Sequence, residues 1–324
     1  MTTNQLLLAI AAGVIAAVVF ASATTGPMLL RFVLFFLTPL SLYLAGLGIG
    51  PMAAAIATTV ATLTILLLTN PMAALVFAVS AGAPAAMTTR LALLGRKTGD
   101  DHPDTAVEWF PIGRIVLAAA MFGGIFAALA LVVMGGDVDA LTKAMRTLVE
   151  TFVKTEMPQI PGSTPLTEAQ IDEISKRALG LLPTTLAALS MITTLLNLWL
   201  AGRITLASGR LVRPWPDFSQ LRLPASATFA LLAAMAAAFL DGFPGLLAGG
   251  FAGALTIAFA LVGLAVAHSL TRGSAWRNFI LTALYASLVL YTPGIALLLA
   301  VVGLAETIFA YREGGERPPP ADPA

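Results

Sequence analysis

The sequence contains no cysteine. Disulfide bonds, thiolate metal ligands and a cysteine nucleophile are thereby excluded, while the compartment is left open. Histidine occurs only twice, and charged residues make up 11% of the 324 positions. An ordinary globular chain carries roughly 25%. So few charges cannot coat soluble domains of this length. The formal net charge of +1 offers no electrostatic footprint for a nucleic-acid partner. No nucleotide-binding motif is present, so ATP-driven work would need another polypeptide.

What fills the chain is apolar sequence: 58% of residues are hydrophobic, and mean hydropathy is +0.90. The apolar residues come in long blocks, many near the ~20 residues of a bilayer-spanning helix. Ten such segments fall at about 5–24, 28–48, 50–69, 71–94, 113–135, 180–201, 223–241, 244–270, 277–292 and 294–311. Breakers mark the tight junctions: Gly26-Pro27, Gly50-Pro51, Asn70-Pro71, Gly242-Phe243-Pro244 and Pro293-Gly294. The ninth segment is short enough for a half-span, so the expected fold is an all-α polytopic bundle of eight to ten membrane segments. Ala21-Ser22-Ala23 resembles a signal-peptidase site, but residues 1–8 lack the basic n-region of a signal peptide, and segment one is read as a retained span.

Basic residues set the expected orientation. Arg90, Arg96, Lys97 and Arg114 flank or occupy loop 95–112. Arg203, Arg210, Arg213 and Arg222 lie around loop 202–222, Arg272 and Arg277 around 271–277, and Arg312 and Arg317 in the tail. Ten spans put all four regions and both termini on one side, read as the cytoplasmic side of a bacterial inner membrane. Trp109, Trp199, Trp215 and Trp276 lie in or beside the same segments, where an indole suits the headgroup level. Arg31 dissents, at the outer start of segment two, from where it can snorkel. Residues 1–312 then form one membrane domain.

The outer loop 136–179 carries seven acids (Asp137, Asp139, Glu150, Glu156, Glu168, Asp172, Glu173). Leu141, Met145, Leu148 and Phe152 repeat at helical spacing, predicting an amphipathic helix on the leaflet surface or over the bundle mouth. Thr167 and Gln170 form a candidate capping box for a second helix running into segment six. The Pro-rich tail 313–324 has a disordered composition.

Catalytic, cofactor and metal motifs are nearly absent. His102 in Asp100-Asp101-His102-Pro103-Asp104 reads as a solvated loop before it reads as a weak metal site. Gly46, Gly48 and Gly50 follow a helix rather than a strand, and so mark a tight turn instead of a phosphate loop. Ala9, Gly13, Ala17 and Ala21 form a small-residue stripe suited to internal packing or to docking another subunit.

Polar groups inside apolar segments are costly and face cavities or partner helices. Asn197 lies six residues before Arg203, His268 four before Arg272, and Glu306 six before Arg312. At 1.5 Å per residue each sits about 6–9 Å from the basic end of its helix. Either the three share a polar cavity, or each separately meets interfacial water or caps its own helix.

Several strings resemble the YybS-like family of bacterial membrane proteins of unassigned function. They are Gly82-Ala83-Pro84-Ala85 leading to Arg90, Asn197-Leu198-Trp199-Leu200-Ala201-Gly202-Arg203, Gly263-Leu264-Ala265-Val266-Ala267-His268, and Gly303-Leu304-Ala305-Glu306 before Arg312. That family is distantly similar to the substrate-binding subunits of energy-coupling-factor vitamin transporters, which are shorter, near six spans, and dock through small residues on an early helix. The resemblance implies a transport-related protein binding a small solute within the bundle, with the bilayer and other membrane subunits as partners. The alternative is a non-catalytic scaffold or assembly factor. An intramembrane lipid-modifying enzyme is least favoured, because paired carboxylates and histidine clusters are missing.

Overall fold

A computed structural model describes residues 1–23, 27–97, 107–155, 157 and 166–312. The acidic stretch 100–104, most of the Pro-rich connection after 157, and the tail 313–324 lie outside the described residues.

The chain is a helical bundle. Its elements are α1 (Thr3–Ser22), α2 (Met28–Leu37), α3 (Leu40–Ile49), α4 (Pro51–Leu68), α5 (Pro71–Phe77), α6 (Ala83–Ala92), α7 (Ile112–Val133), α8 (Val138–Thr155), α9 (Glu168–Ala207), α10 (Ala225–Ala238), α11 (Phe243–Leu270), α12 (Arg277–Leu290) and α13 (Thr292–Phe309). A two-stranded antiparallel ribbon, β1 (Gly95–Lys97) and β2 (Val107–Trp109), closes the loop after α6.

Among the described residues, eight helical stretches are long and apolar enough to cross a membrane. Two of them are interrupted. The stretch Leu29–Ile49 breaks at Thr38-Pro39 into α2 and α3. The stretch Pro71–Ala92 contains a π-helical turn, Ala78–Gly82, between α5 and α6. Segments seven and nine become the shorter α10 and α12, of 14 residues each. Each covers about 21 Å of helix, less than the ~30 Å hydrocarbon core. Proline starts helices where its missing N–H costs nothing: Pro51, Pro71, Pro244 and Pro293 all stand in first turns. Gly50 and Gly242 supply the positive φ (137° and 79°) at two of these entries.

α9 has 40 residues, about 60 Å, and so projects well beyond a bilayer. Its start is the expected capping box: Thr167 Oγ1 accepts from the Gln170 N–H, and Gln170 Oε1 accepts from the Thr167 N–H. The projecting turns hold α8. Leu141 and Met145 of α8 are buried with Leu131 and Leu179, and Arg146 binds Glu150, Glu168 and Asp172 at 2.6–2.8 Å. Of the expected apolar stripe, Leu148 and Phe152 stay exposed, because α9 covers only the first half of that face.

Two larger cores fill the bundle. One gathers α1, α3, α4, α5 and α6; the other gathers α7, α9, α10, α11 and α13. Small residues let backbones touch. A Cβ on Gly263 of α11 would strike the Leu299 carbonyl of α13, and one on Gly303 would strike the Phe259 carbonyl in return.

Candidate functional site

A polar seam runs through the apolar half of α9. Ser190, Thr193, Thr194 and Asn197 are all buried, and they lie at i, i+3, i+4 and i+7, hence on one face. They begin about 9 Å and end about 20 Å from Arg203 along the helix. Across from them stand Tyr43 of α3 and Thr88 of α6. The Thr88 hydroxyl donates to Pro84 O at 2.6 Å and lies 3.1 Å from the Tyr43 hydroxyl, which Thr194 also reaches. Thr89 adjoins α3 at Gly46. Both interrupted stretches border the seam.

Asn197 has a structural task. Its Nδ2 donates to Phe36 O at 2.6 Å and to Thr193 O at 2.8 Å. Phe36 is in the last turn of α2, whose carbonyls lose helical partners at the break before Pro39. Thr38 serves the same turn by donating to Leu34 O. The opposite side of the seam is not satisfied. Asn197 Oδ1 and the hydroxyls of Thr89, Ser190 and Thr193 are buried without a hydrogen-bond partner. Buried polar groups ordinarily find partners. Three of these oxygens lie on the buried face of α9, and the fourth is on α6, where Thr89 adjoins Gly46 of α3.

His268 and Glu306 lie elsewhere, around the 3₁₀ turn Phe218–Gln220 that follows α9 at the basic end. Glu306 pairs with Arg312 at 2.7 Å, and Arg312 donates to Ser219 O and Leu221 O. His268 packs edge-on against Phe218 and Tyr285, with Nδ1 2.9 Å from Leu264 O and Nε2 3.4 Å from the Tyr285 hydroxyl. Arg272 binds both Asp217 Oδ2 and Ser219 Oγ. The Arg272 guanidinium, with the Ser219 hydroxyl and N–H, pulls the Asp217 carboxyl down to about 2. The three candidates from the sequence thus divide. His268 and Glu306 anchor one turn, while Asn197 belongs to the seam.

The same loop carries Arg213, whose guanidinium donates to Ala92 O and Phe110 O and lies over the Trp109 ring. Partial burial pushes its pKa below the ordinary arginine value.

The small-residue stripe of α1 is occupied from within the chain. Ala9, Gly13 and Ala17 are buried, and a Cβ on Gly13 would meet Ala57 O and Val60 of α4. Ala21 is exposed at the end of the stripe. Three of its four residues are therefore packed within the chain, with Gly13 against α4.

In the sequence Asn197 stands out by its amide, whereas Ser190, Thr193, Thr194, Thr88 and Thr89 do not. Single hydroxyls are common in apolar helices, but their shared face on α9 is a signal that spacing alone carries. Among the described residues, no group of three or more acidic or imidazole side chains is placed to hold a metal ion.

Residues 14–307 match the family described as predicted membrane protein (DUF2232). The chain belongs to this family. No curated protein and no solved structure matches it. Family and helices together make this a membrane protein with several spans, seated in a lipid bilayer.

Proposed function

We propose that this family member is transport-related and binds a small polar solute in the seam between α3, α6 and α9. The observation that carries the reading is the set of four unpartnered oxygens on Thr89, Ser190, Thr193 and Asn197, buried beside two interrupted spans. Transporters commonly build substrate sites where helices are discontinuous, since freed backbone groups and local hinges coincide there. The resemblance to the YybS-like family, and through it to energy-coupling-factor substrate-binding subunits, leans the same way. The basic loops favour a cytoplasmic location for the end that carries Arg213, Arg272 and Arg312, and with it for both termini, in a bacterial inner membrane.

A thermal-shift screen of the purified protein against vitamins, nucleobases, metal ions and polar metabolites tests this, because a ligand of the native state raises its stability. A solute that stabilises the wild type should lose its effect in Ser190→Ala and Thr193→Val, which remove unpartnered oxygens with little change of volume. No stabilising solute, or one indifferent to both substitutions, defeats the proposal.

A second reading, a scaffold for partner proteins, draws on α12. None of its residues is buried, and Phe279, Tyr285, Val289 and Leu290 stand exposed along it. A stable complex recovered from detergent and lost on replacing Val289 and Leu290 by alanine would favour it.

A further inference from the structure

A cavity of about 340 Å³ opens at the basic end, between α7, α9 and the loop after α9. That volume falls at the low end for small-molecule pockets. Its wall is aliphatic, with Leu47, Ile115, Val116, Leu195, Leu198 and Leu261. Trp199 and Trp215 also line it, and they keep 54% and 38% of their surface exposed. They therefore frame the mouth. Indoles favour the headgroup level of a bilayer.

Charge at the cavity has one sign. Arg213 is its one ionisable lining residue among those described. Its two acceptors, Ala92 O and Phe110 O, are neutral carbonyls. A guanidinium has five N–H donors, so these bonds leave donors to spare. A second cation stands at the mouth: the Arg203 guanidinium lies 5.3 Å from the Trp215 ring centroid. An isolated half-buried cation is costly, and a bound anion relieves that cost.

An aliphatic interior with two indoles and two arginines at its mouth complements an amphiphile with an anionic head. We infer that this cavity binds an anionic phospholipid of the surrounding bilayer, with one acyl chain against α7 and α9 and its phosphate at Arg213 and Arg203. A soluble phosphate would find nothing to occupy in the aliphatic interior. The site is independent of the polar seam, because no seam residue lines it. Each can fail without the other.

The test uses purified full-length protein in detergent, titrated with phosphatidylglycerol, with phosphatidylcholine of the same chains, or with inorganic phosphate. The readouts are thermal midpoint and retention of lipid in native mass spectra. Phosphatidylglycerol should raise the midpoint saturably and remain bound, and the other two should not. Arg203→Gln, at an exposed position, should weaken phosphatidylglycerol binding by roughly tenfold, as for loss of one charge-assisted contact. Leu198→Trp, which fills the cavity, should abolish the specific shift. Equal shifts from both lipids would overturn the proposal as a bulk solvation effect. An equal shift from inorganic phosphate would overturn it in favour of a free anion site. Should the tryptophan variant not fold, undiminished phosphatidylglycerol binding by Arg203→Gln still overturns it.

Discussion

Glu306 and Arg312 form an ion pair of 2.7 Å whose side chains keep only 4% and 9% of their surface exposed. Arg312 also donates to the carbonyls of Ser219 and Leu221, so the pair fastens the end of α13 to the loop after α9. His268 touches the same turn through Phe218. Breaking a buried pair leaves one charge uncompensated, which costs about 3–5 kcal/mol. Glu306→Gln should lower stability on that scale in chemical unfolding. His268→Ala should cost less, and the double variant should deviate from additivity, because both residues act on one turn. Strict additivity would show that the turn does not couple them.

Asp217 provides a pH signature. Its carboxyl is held near 2 by Arg272 and Ser219, against about 3.9 when unfolded. A depressed acid stabilises the fold above its unfolded pKa, and that contribution is lost as pH falls through the folded value. Wild-type stability should therefore fall between about pH 4 and pH 2 in part through this residue. Asp217→Asn should be less stable at neutral pH and show a shallower acid slope. Identical slopes in a pH series of thermal midpoints would remove Asp217 from the linkage.

The contact of α11 with α13 depends on two missing side chains. Gly263→Leu or Gly303→Val would push a Cβ and more into an opposing carbonyl. Overpacking costs typically 1–3 kcal/mol where a core can yield, and backbone yields less than side chains. Each variant should lose at least ~2 kcal/mol, or fail to accumulate as folded protein. Gly249→Ala, a glycine on the same helix with open space beside it, is the control and should be nearly neutral. Comparable losses in all three would show that close approach does not set the cost, because each replacement by itself raises helix propensity.

Composition by itself determined that this chain spans a membrane many times. Low charge and long apolar runs admit no other way to satisfy the backbone in lipid. Proline and glycine placed the turns, and Thr167 with Gln170 announced the start of α9. Tertiary structure decided the rest. It showed that segment seven forms a helix as short as the ninth, and that the Ala9–Gly13–Ala17 stripe is buried, with Gly13 against α4. It also placed Asn197 apart from His268 and Glu306. Depth along a helix can be read from residue count, but the direction each residue faces depends on the neighbour it meets. Three polar groups at one depth can therefore belong to different seams. The cavity at Arg213 was likewise hidden, because its wall comes from helices distant in sequence and its charge from the loop that folds over them.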